Sequence, residues 1–369
     1  MYRQISIPIL FLLLICSCSG DPERDWELFD YSSLEEISYD VTLEFGESEG
    51  FIPANLAGLV VFPDGTLLVR DQSQTMIVQY NSLGEFVGVV AKEGGGPGEL
   101  PGSFSMTVSG TDTLVVLHSG GRKDFYGRSS SGLFTHSRGV IAEQGEYSTT
   151  IVGVRSASEY YVRLTDPGIF SNLISAYTPY RHDYLAITDE RNRVLVDSLH
   201  PIKIRNPLIN VTTHSDGSIE SLSVLSDIPY RYEDHFVPLE DGLYMIASND
   251  SSAFYIYNET HELQQKIPLN ARPRQVESSD LEDISRELRP YITDEKPPFI
   301  TVWSADEMIL LHTETYEENK EIILLSFEGE PLGKIMLPDI DEIHHFQGNR
   351  FYTVHKDEEL GHSIRVYEL

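Results

Sequence analysis

Between Leu59 and Val90 three turns cut the chain into four short apolar runs, and this rhythm restricts the fold more than any other feature. Leu59-Val60-Val61-Phe62 leads into the turn Pro63-Asp64-Gly65, then Thr66–Arg70, polar Asp71–Gln74, Met76–Tyr80, Asn81–Gly84 and finally Glu85–Val90. Short runs rich in Val, Ile, Leu and aromatic residues read as strands, and Gly, Asn and Asp in the breaks supply the backbone angles that tight turns need. No run is long enough to repeat an apolar stripe at helical spacing. Four antiparallel strands joined by such turns make a meander, the unit of a propeller blade.

The unit recurs in Phe104–Val140, Ile151–Ile204, His235–Ile267 and Phe299–Met336, the third blade carrying a long insertion. The last stretch, Ile343–Leu369, supplies three strands where four are needed. Ile37–Phe45 alternates clearly and has no partner near it in sequence. Set beside the last three strands, it completes a blade, closes the ring with backbone hydrogen bonds and removes two exposed edges. The fold expected is all-β: a six-bladed β-propeller over residues 37–369, its last blade closed by the N-terminal strand. Leu208–Leu225 leaves room for a seventh blade. One helix is expected near 279–289, where Ser279-Asp280-Leu281-Glu282 reads as a capping box, Leu281, Ile284 and Leu288 share a face, and Pro290 ends the pattern.

The start of the chain reads as an address. Arg3 gives the positive charge of a secretory signal, and Ile5–Ile15 gives its apolar core. That core is too short to cross a bilayer as a helix and has the length of a cleaved signal. Ile15-Cys16-Ser17-Cys18 resembles a lipobox, with an aliphatic residue three before Cys18 and a small one directly before it. Residues 1–17 are therefore expected to be a lipoprotein signal peptide, Cys18 the lipidated residue and 18–36 a tether. An ordinary signal with two chance cysteines is the plainer alternative. Each buried acyl methylene adds about 0.8 kcal/mol, so several chains on one cysteine hold a protein firmly. About eighteen residues between lipid and first strand reach at most roughly 60 Å, which keeps the body near the membrane of the bacterial cell envelope.

Both cysteines lie in that signal region, so the body has no disulfide framework and no Cys-ligated zinc or iron–sulfur site. Its stability must come from burial, which a body of roughly 350 residues can supply. Asp and Glu number 58 against 27 Lys and Arg, a formal net charge of −31. Nucleic acid is excluded as a partner, because binding phosphates takes clustered cations.

Phe62–Asp71, followed by Ile77–Tyr80 and Leu83–Phe86, resembles an NHL-type repeat, and Gly94-Gly95-Gly96-Pro97-Gly98-Glu99-Leu100 is similar to a connector of six-bladed propeller lipoproteins in Bacteroidota, with Leu100 where those carry an aromatic. The segment Lys296-Pro297-Pro298-Phe299 after the expected helix also looks like that group. The resemblance implies a β-propeller on a lipid anchor and carries over no catalytic residue.

Candidate sites remain open at this point. The Gly94–Glu99 loop lacks the Lys-Ser/Thr and helix that follow a phosphate cradle, and reads as an inter-blade connector. Asp71 is a ligand candidate or, more simply, a cap on backbone amides. His344 and His345, adjacent on a strand, point to opposite faces and cannot hold one ion together. The aromatic strands with Tyr160, Tyr161, Tyr255 and Tyr257 read as blade packing. No nucleophile motif of the type Gly-x-Ser-x-Gly occurs. The leading reading is a membrane-anchored binding or scaffolding module rather than an enzyme. Its partner would be an envelope protein or a small-molecule or glycan ligand. No cofactor is identified. The alternative is a metal-dependent, lactonase-like hydrolase or lyase with a divalent cation in the central channel. Cys18→Ala is expected to release the protein from membranes and to abolish fatty-acid labelling; unchanged labelling would refute the anchor.

Overall fold

A computed structural model describes residues 30–369 apart from 119–120, 144, 169–177, 207, 215–218, 226–228, 231, 272–273, 283, 285, 287, 306–307, 317 and 358–360. The expected signal peptide, Cys18 and most of the expected tether lie outside the described residues. The body forms six four-stranded antiparallel sheets. Blade 1 runs Leu56–Val61, Leu67–Asp71, Met76–Tyr80 and Phe86–Lys92 from the inside outward, and blade 2 runs Phe104–Ser109, Thr113–His118, Arg122–Arg128 and Phe134–Ile141. Blade 3 is Ser148–Ser156, Glu159–Thr165, Tyr180–Asp189 and Val194–Arg205; blade 4 is Asp234–Pro238, Tyr244–Ser248, Ala253–Tyr257 and Leu263–Pro268. Blade 5 is Thr301–Ala305, Met308–Tyr316, Asn319–Ser326 and Pro331–Pro338. The first strand of each blade touches the first strand of the next, and that of blade 6 touches that of blade 1, so the ring is complete.

Blade 6 combines Asp341–Gln347, Arg350–Asp357 and Gly361–Glu368 with Asp40–Phe45 as its outermost strand. The N-terminal strand closes the ring as the sequence implied, although it begins at Asp40 rather than Ile37. The residues before it do something else. Ile37 donates its N–H to Lys334 O at 2.7 Å, and Lys334 donates to Glu35 O at 3.0 Å. Tyr39 Oη reaches Met336 O at 2.6 Å. The lead-in thus ties blade 5 to blade 6 before the strand starts.

Leu208–Leu225 contributes a two-stranded hairpin and no seventh blade. The insertion near 279–289 is helical but tighter than expected. Single 3₁₀ turns lie at Ser279–Leu281 and Arg289–Tyr291, with Ile284 N–H on Leu281 O. Ser279 does not cap. Arg289 donates instead to the carbonyls of Leu281 and Ile284, at 2.6 and 3.2 Å, and Asp280 is held by Lys296 at 2.8 Å. Arg289 thus satisfies two carbonyls that an α-helix would have used for its own ladder.

The core is a set of layers between blades. Fourteen buried apolar residues fill the layer between blades 4 and 5, Phe254, Phe299 and Ile309 among them. Only six, including Val115, Phe125 and Tyr160, fill the layer between blades 2 and 3. The strand Asp40–Phe45 completes the layer between blades 6 and 1, where Leu43 and Phe45 join Tyr80, Val354 and Ile364. A chain starting at Gly46 is expected to lose at least about 3 kcal/mol, the cost of emptying one large core position, and to self-associate through the bared edge of Gly361–Glu368. Urea unfolding and light scattering measure both; a midpoint equal to the full body's would refute the closure.

Candidate functional site

A cleft of about 760 Å³ opens between blades 2 and 3, where the apolar layer is thinnest. Its walls come from the starts of two inner strands, Phe104–Ser105 and Ser148–Ile151, with His118, Arg122 and Lys123 from the bend between the second and third strands of blade 2. Arg70 reaches in from the second strand of blade 1.

One wall is anchored on Asp124, which has no exposure. Its carboxylate accepts from His118 Nε2 at 2.8 Å and His136 Nε2 at 3.2 Å, and pairs with Arg122 at 2.7 Å. Burial pulls the His118 imidazole below its ordinary pKa, against the opposing pull of Asp124. A neutral His118 donating from Nε2 leaves Nδ1 an acceptor, and that atom is buried without a partner.

The other two cations are held differently. Lys123 is 3% exposed. Its Nζ bonds Asn192 Oδ1 at 2.7 Å and Asp189 O at 3.4 Å and lies 4.7 Å from the Tyr160 ring centre. The nearest carboxylates are committed elsewhere, Asp189 to Arg193 and Glu190 to Arg138. Burial therefore dominates and pushes the Lys123 ammonium down to about 8. Arg70 lies with its guanidinium carbon 4.9 Å from the Phe104 ring centre. Its Nε is buried with no hydrogen-bond partner, and burial pulls the group below its ordinary pKa.

A second region of openings, of about 220 and 170 Å³, surrounds Lys296-Pro297. Its charges are neutralised in place. Arg205 pairs with Glu233 at 2.9 Å, Arg274 with Glu314 and Glu321 at 2.6 and 2.8 Å, and Lys296 with Asp280 and Glu314. This network fastens the excursion between blades 4 and 5, and burial is offset by good pairing.

The residues singled out from the sequence fall elsewhere. Asp71, with no exposure, accepts from the backbone of Ala54, Asn55 and Gln74 at 2.7, 3.3 and 2.9 Å, so it caps amides. Glu99 folds onto Gly96 N at 2.7 Å and closes the Gly94–Glu99 connector on itself. Gly98 there has φ +74°, and a Cβ on it would lie 2.5 Å from the His136 side chain, so glycine is required. His344 sits at a register shift between Ile343 and His345 in the inner strand of blade 6. His344 lies 3.7 Å from Glu342, while His345 packs on Tyr352 and is pushed down to about 4 by burial. Tyr160 and Tyr161 are core residues. Among the described residues no three His, Asp or Glu side chains are grouped as metal ligands, so the geometry selects no ion for channel chemistry. The sequence reading did not find Arg70, His118, Arg122 or Lys123 as site residues. The only local signal was the charged triplet Arg122-Lys123-Asp124 leading into the apolar Phe125-Tyr126.

The sequence matches no protein family and no curated protein. Solved structures resemble it across nearly its whole length. A member of the DUF4221 family from Bacteroides vulgatus is 12% identical with a TM-score of 0.51, covering 91% of this chain and 99% of its own. A Bacteroides fragilis protein described as exported is 12% identical with a TM-score of 0.48, covering 92% and 97%. Virginiamycin B lyase of Staphylococcus aureus is 12% identical with a TM-score of only 0.39, covering 90% and 100%. At such identities the likeness shows the fold: this chain is a six-bladed β-propeller with Bacteroides proteins among its structural neighbours.

Lys123→Met is expected to stabilise the protein at pH 7 by about 2 kcal/mol. The folded wild type releases this proton near pH 8 and the unfolded chain near 10.5. Wild-type stability therefore rises through that window, and the advantage of the variant is full below pH 8 and gone above about 10.5. Urea unfolding at several pH values reads it; a gap constant with pH would refute the buried-charge assignment.

Proposed function

We propose that this chain is a lipid-anchored, extracytoplasmic binding propeller whose ligand site is the cleft between blades 2 and 3. One observation carries the site: at about 760 Å³ the cleft alone among the openings described above falls in the range of small-molecule pockets, and it combines convergent polar groups with apolar walls. Phe104, Leu117 and Ile151 supply apolar surface, and Ser105, Arg70 and Lys123 the polar contacts. The anchor rests on the lipobox-like Ile15–Cys18 and the tether behind it, which would hold the cleft where envelope ligands are found. A rigid ring presenting a recess between two blades suits binding without turnover, since loops and seams on a stable scaffold can vary while the strands stay.

The test is a thermal-shift survey of small envelope-derived compounds on the wild-type body and on Ser105→Trp, which places an indole at an exposed position of the cleft wall. Compounds that raise the midpoint of the wild type, leave Ser105→Trp unmoved and are recovered unchanged support the reading. Compounds that shift both proteins equally place the site elsewhere and overturn it.

A further inference from the structure

We infer that the cleft receives a small organic anion, a carboxylate or a phosphate ester, through Arg70 and Lys123. The inference rests on the cleft being the binding site and adds the chemistry of what enters it. Every other described Lys or Arg is either ion-paired or exposed: Lys92, Arg191, Lys266, Arg286 and Arg289 lack a carboxylate partner but face water. Lys123, which is buried, and Arg70, which is half-buried with its Nε buried and unbonded, alone combine such shielding with the absence of an ion-pair partner among the described residues, and both line this one cleft.

That coincidence has a physical meaning. A buried cation without a counter-charge is costly and is normally paired. Here carboxylates are abundant, 58 Asp and Glu in the chain, so a purely structural seam would have a partner to hand. The side chains hold the two cations over the Phe104 and Tyr160 rings and leave their charge uncommitted. An incoming anion would supply the missing counter-charge, and hydrogen bonds between ionised partners are about twice as strong as neutral ones.

The rest of the cleft restricts the anion's size and shape. Glu143 and Glu146 are exposed at the same opening, and the chain carries a formal net charge of −31, which repels polyanions. Tyr147, 43% exposed, offers a flat apolar surface beside them. The ligand is thus a compact molecule with one anionic head for Arg70 and Lys123 and an apolar body for the aromatic walls.

The experiment titrates the purified body with four probes: benzoate, phenyl phosphate, inorganic phosphate and neutral benzamide. Ligand-observed NMR reads binding at millimolar concentration. At least one of the organic anions is expected to bind about tenfold more tightly than benzamide. Benzoate against phenyl phosphate tells carboxylate from phosphate recognition, and inorganic phosphate shows whether the apolar body matters. Arg70→Gln and Lys123→Met should each weaken the anion about tenfold, while Arg70→Lys and Lys123→Arg, which keep the charge, should restore most of it. Added sodium chloride should compete on the wild type, a readout that needs no variant. Benzamide binding as well as the anions while remaining blocked by Ser105→Trp would overturn the charge assignment and leave the cleft as the site. Anion binding that survives Ser105→Trp would overturn both readings. Silence of all four probes would overturn this inference, leaving the wider compound survey to decide the site.

Discussion

The antiparallel pairing of Asp40–Phe45 with Gly361–Glu368 joins the two ends of the sequence, and the rest of the architecture depends on it. A propeller has no central core that would hold an open ring together. Each blade is stabilised by its two neighbours, so a gap at one seam would expose apolar faces on both sides. The N-terminal strand removes that gap twice, once as the fourth strand of blade 6 and once through the bonds of Ile37 and Tyr39 to blade 5. The pairing spans more than 300 residues, from Asp40 to Glu368, and its loop-closure entropy is modest because that cost grows only logarithmically with length.

Dividing the core into seams allows the seams to differ. The layer between blades 4 and 5 is filled with aromatic and aliphatic side chains, while that between blades 2 and 3 holds Lys123 against Tyr160 and Asn192 beside a thin apolar layer. Five strong seams in a six-bladed ring can tolerate one weak one, because the blades at the weak seam are still held from their other sides. The cleft lies along the thinnest of these layers, and Lys123 without a carboxylate partner belongs to that layer. Around Lys296 the contrast is plain: charges are partly buried but satisfied by their own carboxylates.

Reading the sequence recovered the strands and the ring, and it did so for local reasons. Turn residues at Pro63-Asp64-Gly65 and Asn81–Gly84 and the apolar runs between them act over a few residues. The inner strand of blade 3, Ser148–Ser156, was harder to see, because only Ile151, Val152 and Val154 mark it and they are merely half-buried. The 3₁₀ character of the 279–289 insertion was out of reach, since it depends on where Arg289 and Lys296 lie in space.

What the sequence by itself determined is the set of elements: period-two runs, glycine turns, a spare strand at one end for a missing one at the other, and a body without thiols. These follow from backbone sterics and side-chain alternation, which act between near neighbours. What only the tertiary structure decided is which cations are left without a counter-charge. Arg70 belongs to blade 1, Lys123 to blade 2, and Asn192 and Tyr160 to blade 3. Whether a lysine is solvated or buried without a counter-charge depends on which blade faces it and on which carboxylates that blade has already used. Asp71 and Glu99, the carboxyl groups that looked available in the sequence, are occupied by backbone amides. The cations that are available became visible only once the blades were set side by side.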